Sequence, residues 1–202
     1  MMTKIEILLR SPQKIFTVDD LAIMWQISDR RKLAEVIKYY LRVKRLFRVF
    51  RGVYALDQNY SEQELAVNLF PPAYISYITA LGIHGISFQY YDSIHVMATA
   101  SKTITLPLGK KIIFHQLKDE ILFDETGLIT EQNYLIASPE RTICDTLYLQ
   151  PTYVFDRLSG VNIQNLREVV AIYRNQALTK RVEKLISLIQ QEEANHAGQT
   201  TS

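Results

Sequence analysis

Between Arg30 and Arg51 nine basic side chains face a single acid, Glu35. The apolar residues among them follow two different periods. Over residues 29–44, at about 100° per residue, Leu33, Val36, Ile37, Tyr40 and Leu41 fall on one side of a helix. Arg31, Glu35, Lys38 and Arg42 fall within about 60° of one another on the other side. From Leu46 to Leu56 the pattern becomes that of two apolar-rich strands meeting near Arg51-Gly52. One face must be buried, a narrow cationic face must be shown, and a basic hairpin follows at once. Few small folds satisfy all three demands.

The residues before this stretch complete the pattern. Residues 4–10 form a short helix with Ile5, Leu8 and Leu9 inward, stopped by Ser11-Pro12. A second helix starts at Phe16-Thr17-Val18-Asp19-Asp20-Leu21, where Thr17 caps the backbone and Asp20 reaches back. Phe16 and Leu21 occupy the two positions of a hydrophobic staple. Ser28-Asp29 opens the third helix. Three helices followed by a basic hairpin is a winged helix-turn-helix layout, expected over residues 1–57. In that layout the third helix shows its cationic face to the major groove of double-stranded DNA. Lys and Arg meet phosphates there, and Arg can fork onto guanine. The expected DNA-binding residues are Arg30, Arg31, Lys38, Arg42, Arg48 and Arg51, flanked by Lys32, Lys44 and Arg45.

Charge bears on the same point. The chain has 202 residues and a formal net charge of +2. Residues 1–60 alone carry +6 and residues 61–202 carry −4. Such a split suggests a nucleic-acid reader joined to something else. The single cysteine, Cys144, excludes a disulfide framework and a Cys-based zinc cluster. Between Ile143 and Asp145 on an amphipathic helix it reads as a small core residue. The apolar runs fall short of the roughly 18 residues a membrane helix needs, and the N-terminal residues do not read as a secretory signal. A cytoplasmic protein with no membrane partner is expected.

The rest of the chain is mixed. Residues 57–61 read as a linker. A helix over 62–70 is stopped by Pro71-Pro72, and a further helical stretch over 73–81 ends in Gly82-Ile83-His84-Gly85. Three β-branched-rich segments at 94–98, 103–106 and 112–115 read as antiparallel strands, with 133–137 adding another. Ser138-Pro139-Glu140 opens a helix with Ile143 and Leu147 inward. Helices near 163–175 and 177–193 follow, and 194–202 lack apolar anchors and read as a disordered tail. The expected class is α+β: a winged helix-turn-helix, then a domain at 62–193 with a small antiparallel sheet and C-terminal helices.

Catalytic signals are weak. Neither GxGxxG nor GxxxxGK[ST] occurs, so no phosphate-cradling loop is expected. His84, His95, His115 and His196 are scattered. Asp92, His95 and His115 could approach one another around a metal, but no defined ligand spacing supports this, and structural histidines are the plainer reading. The acid-rich second half permits a nuclease without supplying its metal-binding constellation. The reading is therefore of a chain that is not an enzyme and has no catalytic residues, metal or cofactor.

Several segments in order carry a resemblance. They are Phe16 to Ala22, the wing Arg48 to Leu56, Tyr74-Ile75-Ser76-Tyr77-Ile78-Thr79-Ala80-Leu81 with Gly82-Ile83-His84-Gly85, Phe88-Gln89-Tyr90-Tyr91, and Ala137-Ser138-Pro139-Glu140-Arg141-Thr142-Ile143-Cys144-Asp145-Thr146-Leu147. Together they resemble the AbiEi antitoxin family of type IV toxin–antitoxin systems, used in abortive infection against phage. The resemblance implies a winged helix that binds inverted repeats at the chain's own promoter and represses it. It also implies a C-terminal domain that counteracts a nucleotidyltransferase toxin without requiring a stable complex. Glu140, Arg141 and Asp145 match the C-terminal motif, and Arg141 and Asp145, four residues apart, are expected to pair along their helix. The alternative is a one-component transcriptional regulator whose second domain senses a small molecule, with Tyr74, Tyr77, Phe88, Tyr90 and Tyr91 lining an apolar pocket.

Overall fold

The computed structural model describes residues 2–106 and 109–199, of which 192–199 by backbone alone. The chain divides into two units, Met1–Ala73 with Glu131–Tyr134, and Tyr74–Thr130 with Leu135–Ser202.

The first unit begins with α1 (Lys4–Leu9), β1 (Ile15–Thr17), α2 (Val18–Trp25) and α3 (Arg30–Arg42). These are followed by β2 (Phe47–Phe50), β3 (Val53–Ala55) and α4 (Glu62–Leu69). Local chemistry sets the helix starts. Thr17 and Asp20 cap α2 reciprocally, with the Thr17 amide donating to Asp20 Oδ2 at 2.8 Å and the Asp20 amide to Thr17 Oγ1 at 3.1 Å. Phe16 and Leu21 beside this cap are fully buried. Asp29 caps α3 by accepting the amides of Arg31 and Lys32. The hairpin β2–β3 turns through Arg51-Gly52, where Gly52 has φ +77°, a conformation only glycine takes at no steric cost. β1 pairs with β3, giving an antiparallel sheet in the order β1-β3-β2. Leu8, Phe16, Leu21, Trp25, Leu33 and Leu46 form the centre of this unit's core.

The unit extends past Asp57 to Ala73 and so takes in α4. The cause is Glu64, which is buried and accepts the amides of Lys14 (2.6 Å) and Ile15 (3.0 Å) at the start of β1.

The second unit contains β4 (Ala73–Ile75), α5 (Tyr77–Ile83), β5 (Ser93–Ala98), β6 (Lys102–Thr105) and β7 (Lys111–Gln116). It continues with α6 (Asp119–Leu122), β8 (Leu128–Glu131) and β9 (Tyr134–Ala137), of which Glu131 and Tyr134 count with the first unit, and then α7 (Pro139–Leu149), α8 (Ile163–Ile172) and α9 (Gln176–Gln199). Its six-stranded sheet has the order β6-β7-β5-β4-β9-β8. The whole is a mixed α+β protein.

Three expectations change here. The sheet is mixed, not a small antiparallel one: β5 runs parallel to β7 and β4 parallel to β9, while β6 is antiparallel to β7. After β5 the chain goes out to the sheet edge as β6, and β7 returns between them. The buried run Ile94 to Ala98 reflects this, since a strand with neighbours on both sides and both faces buried needs no polar alternation. Residues 73–81 are not one helix but β4 followed by α5, because Tyr74 and Ser76 place their hydroxyls on an interior carboxylate. Finally, the backbone of α9 is helical through 194–199 of the expected tail; the remainder, 200–202, lies outside the described residues.

α7 packs against α5, α8 and α9 at the centre of the second unit. Every residue from Glu140 to Leu147 on it is buried.

Candidate functional site

On α3, Leu33 and Ile37 are buried, and Arg30, Arg31, Lys38 and Arg42 are exposed. Arg48 on β2 and Arg51 at the hairpin turn are exposed too, as are Lys32, Lys44 and Arg45. Among the described residues none of the six expected DNA-binding side chains forms an ion pair with an acid. Two rest on tyrosine faces: the Arg42 guanidinium lies 5.6 Å from the Tyr39 ring centre, and that of Arg48 5.9 Å from Tyr54. Such contacts hold the planar cation while leaving its donors free.

A cleft of about 490 Å³ lies between α3 and the hairpin, with Arg30 and Lys38 on one wall, Arg48 on the other, and Ala34, Leu41 and Tyr54 between them. The structure therefore brings helix and hairpin cations to a common groove. Asp29 stands at the start of α3, its carboxyl held below the usual range by the backbone N–H groups of Lys32 and Arg31. This arrangement can neutralise phosphates over a surface wider than one helix.

The C-terminal motif residues lie elsewhere. Arg141 and Asp145 are fully buried. They do not pair directly along α7; the Tyr74 hydroxyl stands between them. It accepts from Arg141 Nη2 (3.1 Å) and donates to Asp145 Oδ2 (3.1 Å). Asp145 also accepts from Ser76 Oγ (2.7 Å) and the Tyr173 hydroxyl (2.6 Å). Arg141 spends its other donors on the carbonyls of Ile121 (2.6 Å), Thr126 (2.7 Å) and Asp124 (3.2 Å). Burial pushes the Asp145 carboxyl up, against the opposing pull of Arg141 and the three hydroxyls. Tyr74 and Tyr173 are raised well above the ordinary range, by burial first and the Asp145 charge second.

Glu140 is buried as well, accepting from Ser138 Oγ and from the Asn162 amide at the start of α8 (2.9 Å each). Among the described residues no buried side-chain nitrogen or oxygen lacks a partner. These residues hold β4, α5, α7, α8 and the loop at 121–126 together, and none presents a surface. Burial pushes the Cys144 thiol up, so it is an inert core residue.

A third cluster joins two of the residues considered together in the sequence, His95 and His115. His95 on β5 and His115 on β7 stack at 11°, with His95 Nδ1 and His115 Nε2 2.8 Å apart. His95 Nε2 lies 3.0 Å from Ser93 Oγ, and the Tyr77 ring packs edge-on against both imidazoles. Burial, with His115 adding to it, lowers His95 to about 4, and burial lowers His115. No group of three or more His, Cys, Asp or Glu among the described residues is placed to hold a metal ion, and Asp92 does not join the pair.

Of the five aromatics considered for a pocket, Tyr74 is in the buried network. Tyr77 and Tyr91 line one cavity beside His95, and Phe88 and Tyr90 line the adjoining one. No helix among the described residues is long and apolar enough to cross a membrane.

No protein-family model and no curated protein matches the chain. Among solved structures, the crystal structure of the RV2827C protein from Mycobacterium tuberculosis aligns over 91% of this chain and 74% of that one, with a TM-score of 0.50 and 12% identity. At that identity the likeness is one of fold.

Proposed function

We propose that this chain is a DNA-binding transcriptional repressor, its first unit a winged helix-turn-helix that reads inverted repeats in its own promoter. The observation that carries the reading is the joint exposure of Arg30, Arg31, Lys38, Arg42, Arg48 and Arg51 on α3 and the hairpin, with Arg30, Lys38 and Arg48 lining the cleft between the two. α3 is the recognition helix, its Leu33 and Ile37 anchored in the core and its opposite side free for the major groove. The hairpin is the wing, carrying Arg48 and Arg51 to the backbone alongside. Asp29 caps α3 without neutralising the stripe one turn further on.

The resemblance to AbiEi antitoxins supports a second role, opposition to a nucleotidyltransferase toxin of a type IV system in the cytoplasm. Two of the segments behind it are physically one device: Tyr74 and Ser76 bind Arg141 and Asp145 in the second unit. That accounts for the motif as architecture, and the surface that opposes the toxin is then a different one.

A gel shift with the DNA upstream of the chain's own gene tests the repressor role, with retardation at low salt expected. Absence of retardation there would overturn it. Co-expression with the neighbouring toxin gene tests the other role; growth restored by the chain is expected, and arrest despite it would contradict it.

A further inference from the structure

The cavity beside the stacked histidines has a volume of about 420 Å³, within the range of roughly 300–1,000 Å³ common for small-molecule sites. Tyr77 and His95 form its inner wall, and Gln89, Tyr91, Gln150 and Tyr153 its rim. Three features decide what it fits. First, none of its lining residues is an Asp, Glu, Lys or Arg, and burial keeps His95 neutral at physiological pH. A phosphate or a free carboxylate finds no counter-charge there, and neither does an ammonium group. Second, the two glutamines are already oriented. Gln150 Oε1 accepts from the Tyr77 hydroxyl at 2.7 Å and Gln89 Oε1 from the Tyr91 hydroxyl, so each carboxamide keeps its N–H2 group as an unspent donor. Third, the walls are aromatic, which favours a flat ligand.

Tyr77 adds an independent sign. It sits at φ +54°, in a left-handed conformation that a bulky aromatic rarely adopts. Strain of this kind persists where the surroundings over-determine it, and it clusters at ligand clamps. Here it sets the Tyr77 ring over both imidazoles and its hydroxyl on Gln150.

We propose that this pocket binds an uncharged planar heterocycle of the nucleobase class, stacked on the rim tyrosines, its carbonyl or ring-nitrogen acceptors taking hydrogen bonds from the Gln89 and Gln150 amides. The ligand is a free base or nucleoside, since the pocket has no cation for a phosphate. The site lies in the second unit and does not depend on the DNA-binding reading; its occupancy is measured on the chain without DNA.

The test is calorimetric titration of the full chain with adenosine, guanosine, cytidine and uridine separately, and then with the free base of any nucleoside that binds. Saturable binding of at least one nucleoside is expected, with the free base competing and ribose 5-phosphate not. Gln150→Ala and Gln89→Ala should each weaken it about tenfold. Both glutamines are exposed, and an unchanged thermal midpoint in each variant separates lost binding from lost folding. No saturable binding of any of the four at up to about 5 mM would overturn the proposal. So would binding that both variants retain at wild-type affinity, or binding that ribose 5-phosphate abolishes.

Discussion

Arg141 is a guanidinium sealed from water, and its place is explained by what it satisfies: three loop carbonyls, the Tyr74 hydroxyl and the charge of Asp145 nearby. Arg141→Met removes all of these at once and leaves the Asp145 carboxylate buried with three hydroxyl donors but no counter-charge. A loss of about 3–5 kcal/mol in denaturant unfolding is expected, and Arg141→Lys should recover little, because one ammonium cannot reproduce the fork. An unchanged midpoint in Arg141→Met would contradict the network's role. Gly127 is a second such residue. Its φ is +74°, and a Cβ there would stand 2.8 Å from Val169 Cγ2 and 3.1 Å from Arg141 Cβ. Gly127→Ala should therefore cost about 2–4 kcal/mol, from the left-handed backbone and the overlap together; a change within experimental error would show that the loop relaxes freely. Residues with local partners were legible in the sequence. Thr17, Asp20 and Ser138 cap helices as their spacing implies. Arg141 and Asp145 were not, because an Arg and an Asp four apart look like a surface pair. Their partner Tyr74 is 71 residues from Asp145 along the chain.

At the level of elements, the amphipathic third helix was readable because its apolar and cationic faces are both written within one segment. The pairing of β5 with β7 was not. Short apolar strands carry no mark of direction, and a parallel neighbour announces itself only through continuous burial. That pairing has a consequence for pH. It stacks His95 on His115 with one shared hydrogen bond, which requires a nitrogen on one ring to stay unprotonated. Tyr77, the titratable side chain packed on both rings, stays neutral across the acid range. Folded His95 takes its proton near pH 4 and the unfolded residue near 6.5, so the unfolded chain protonates first. Stability should be full above about pH 6.5 and fall as pH drops towards about 4. The thermal midpoint, followed across that window, should decline in the wild type and decline less steeply in His95→Gln. Identical profiles would contradict the stacked pair.

At the scale of the whole molecule, the charge split takes a different form once the units are known. Glu62, Glu64 and Glu131 all fold with the first unit, so the two units carry formal charges of +3 and −1, less divided than the +6 and −4 of the linear segments. What remains is local: nine cations between Arg30 and Arg51, all exposed, on α3, the hairpin and the turn that joins them, with the first unit's core beneath. Affinity for DNA should then come from phosphate neutralisation by that patch. The direct measurement is fluorescence anisotropy of the upstream DNA titrated with full chain over a series of salt concentrations. With about four to six phosphates neutralised, log K should fall against log salt with a slope near −4 to −5. Arg42→Ala and Arg51→Ala should each reduce that slope by about 1 if they meet phosphate, or lose roughly 1–3 kcal/mol with relaxed specificity if they meet a base. No binding at low salt, or a slope and affinity unmoved by both substitutions, would contradict the account.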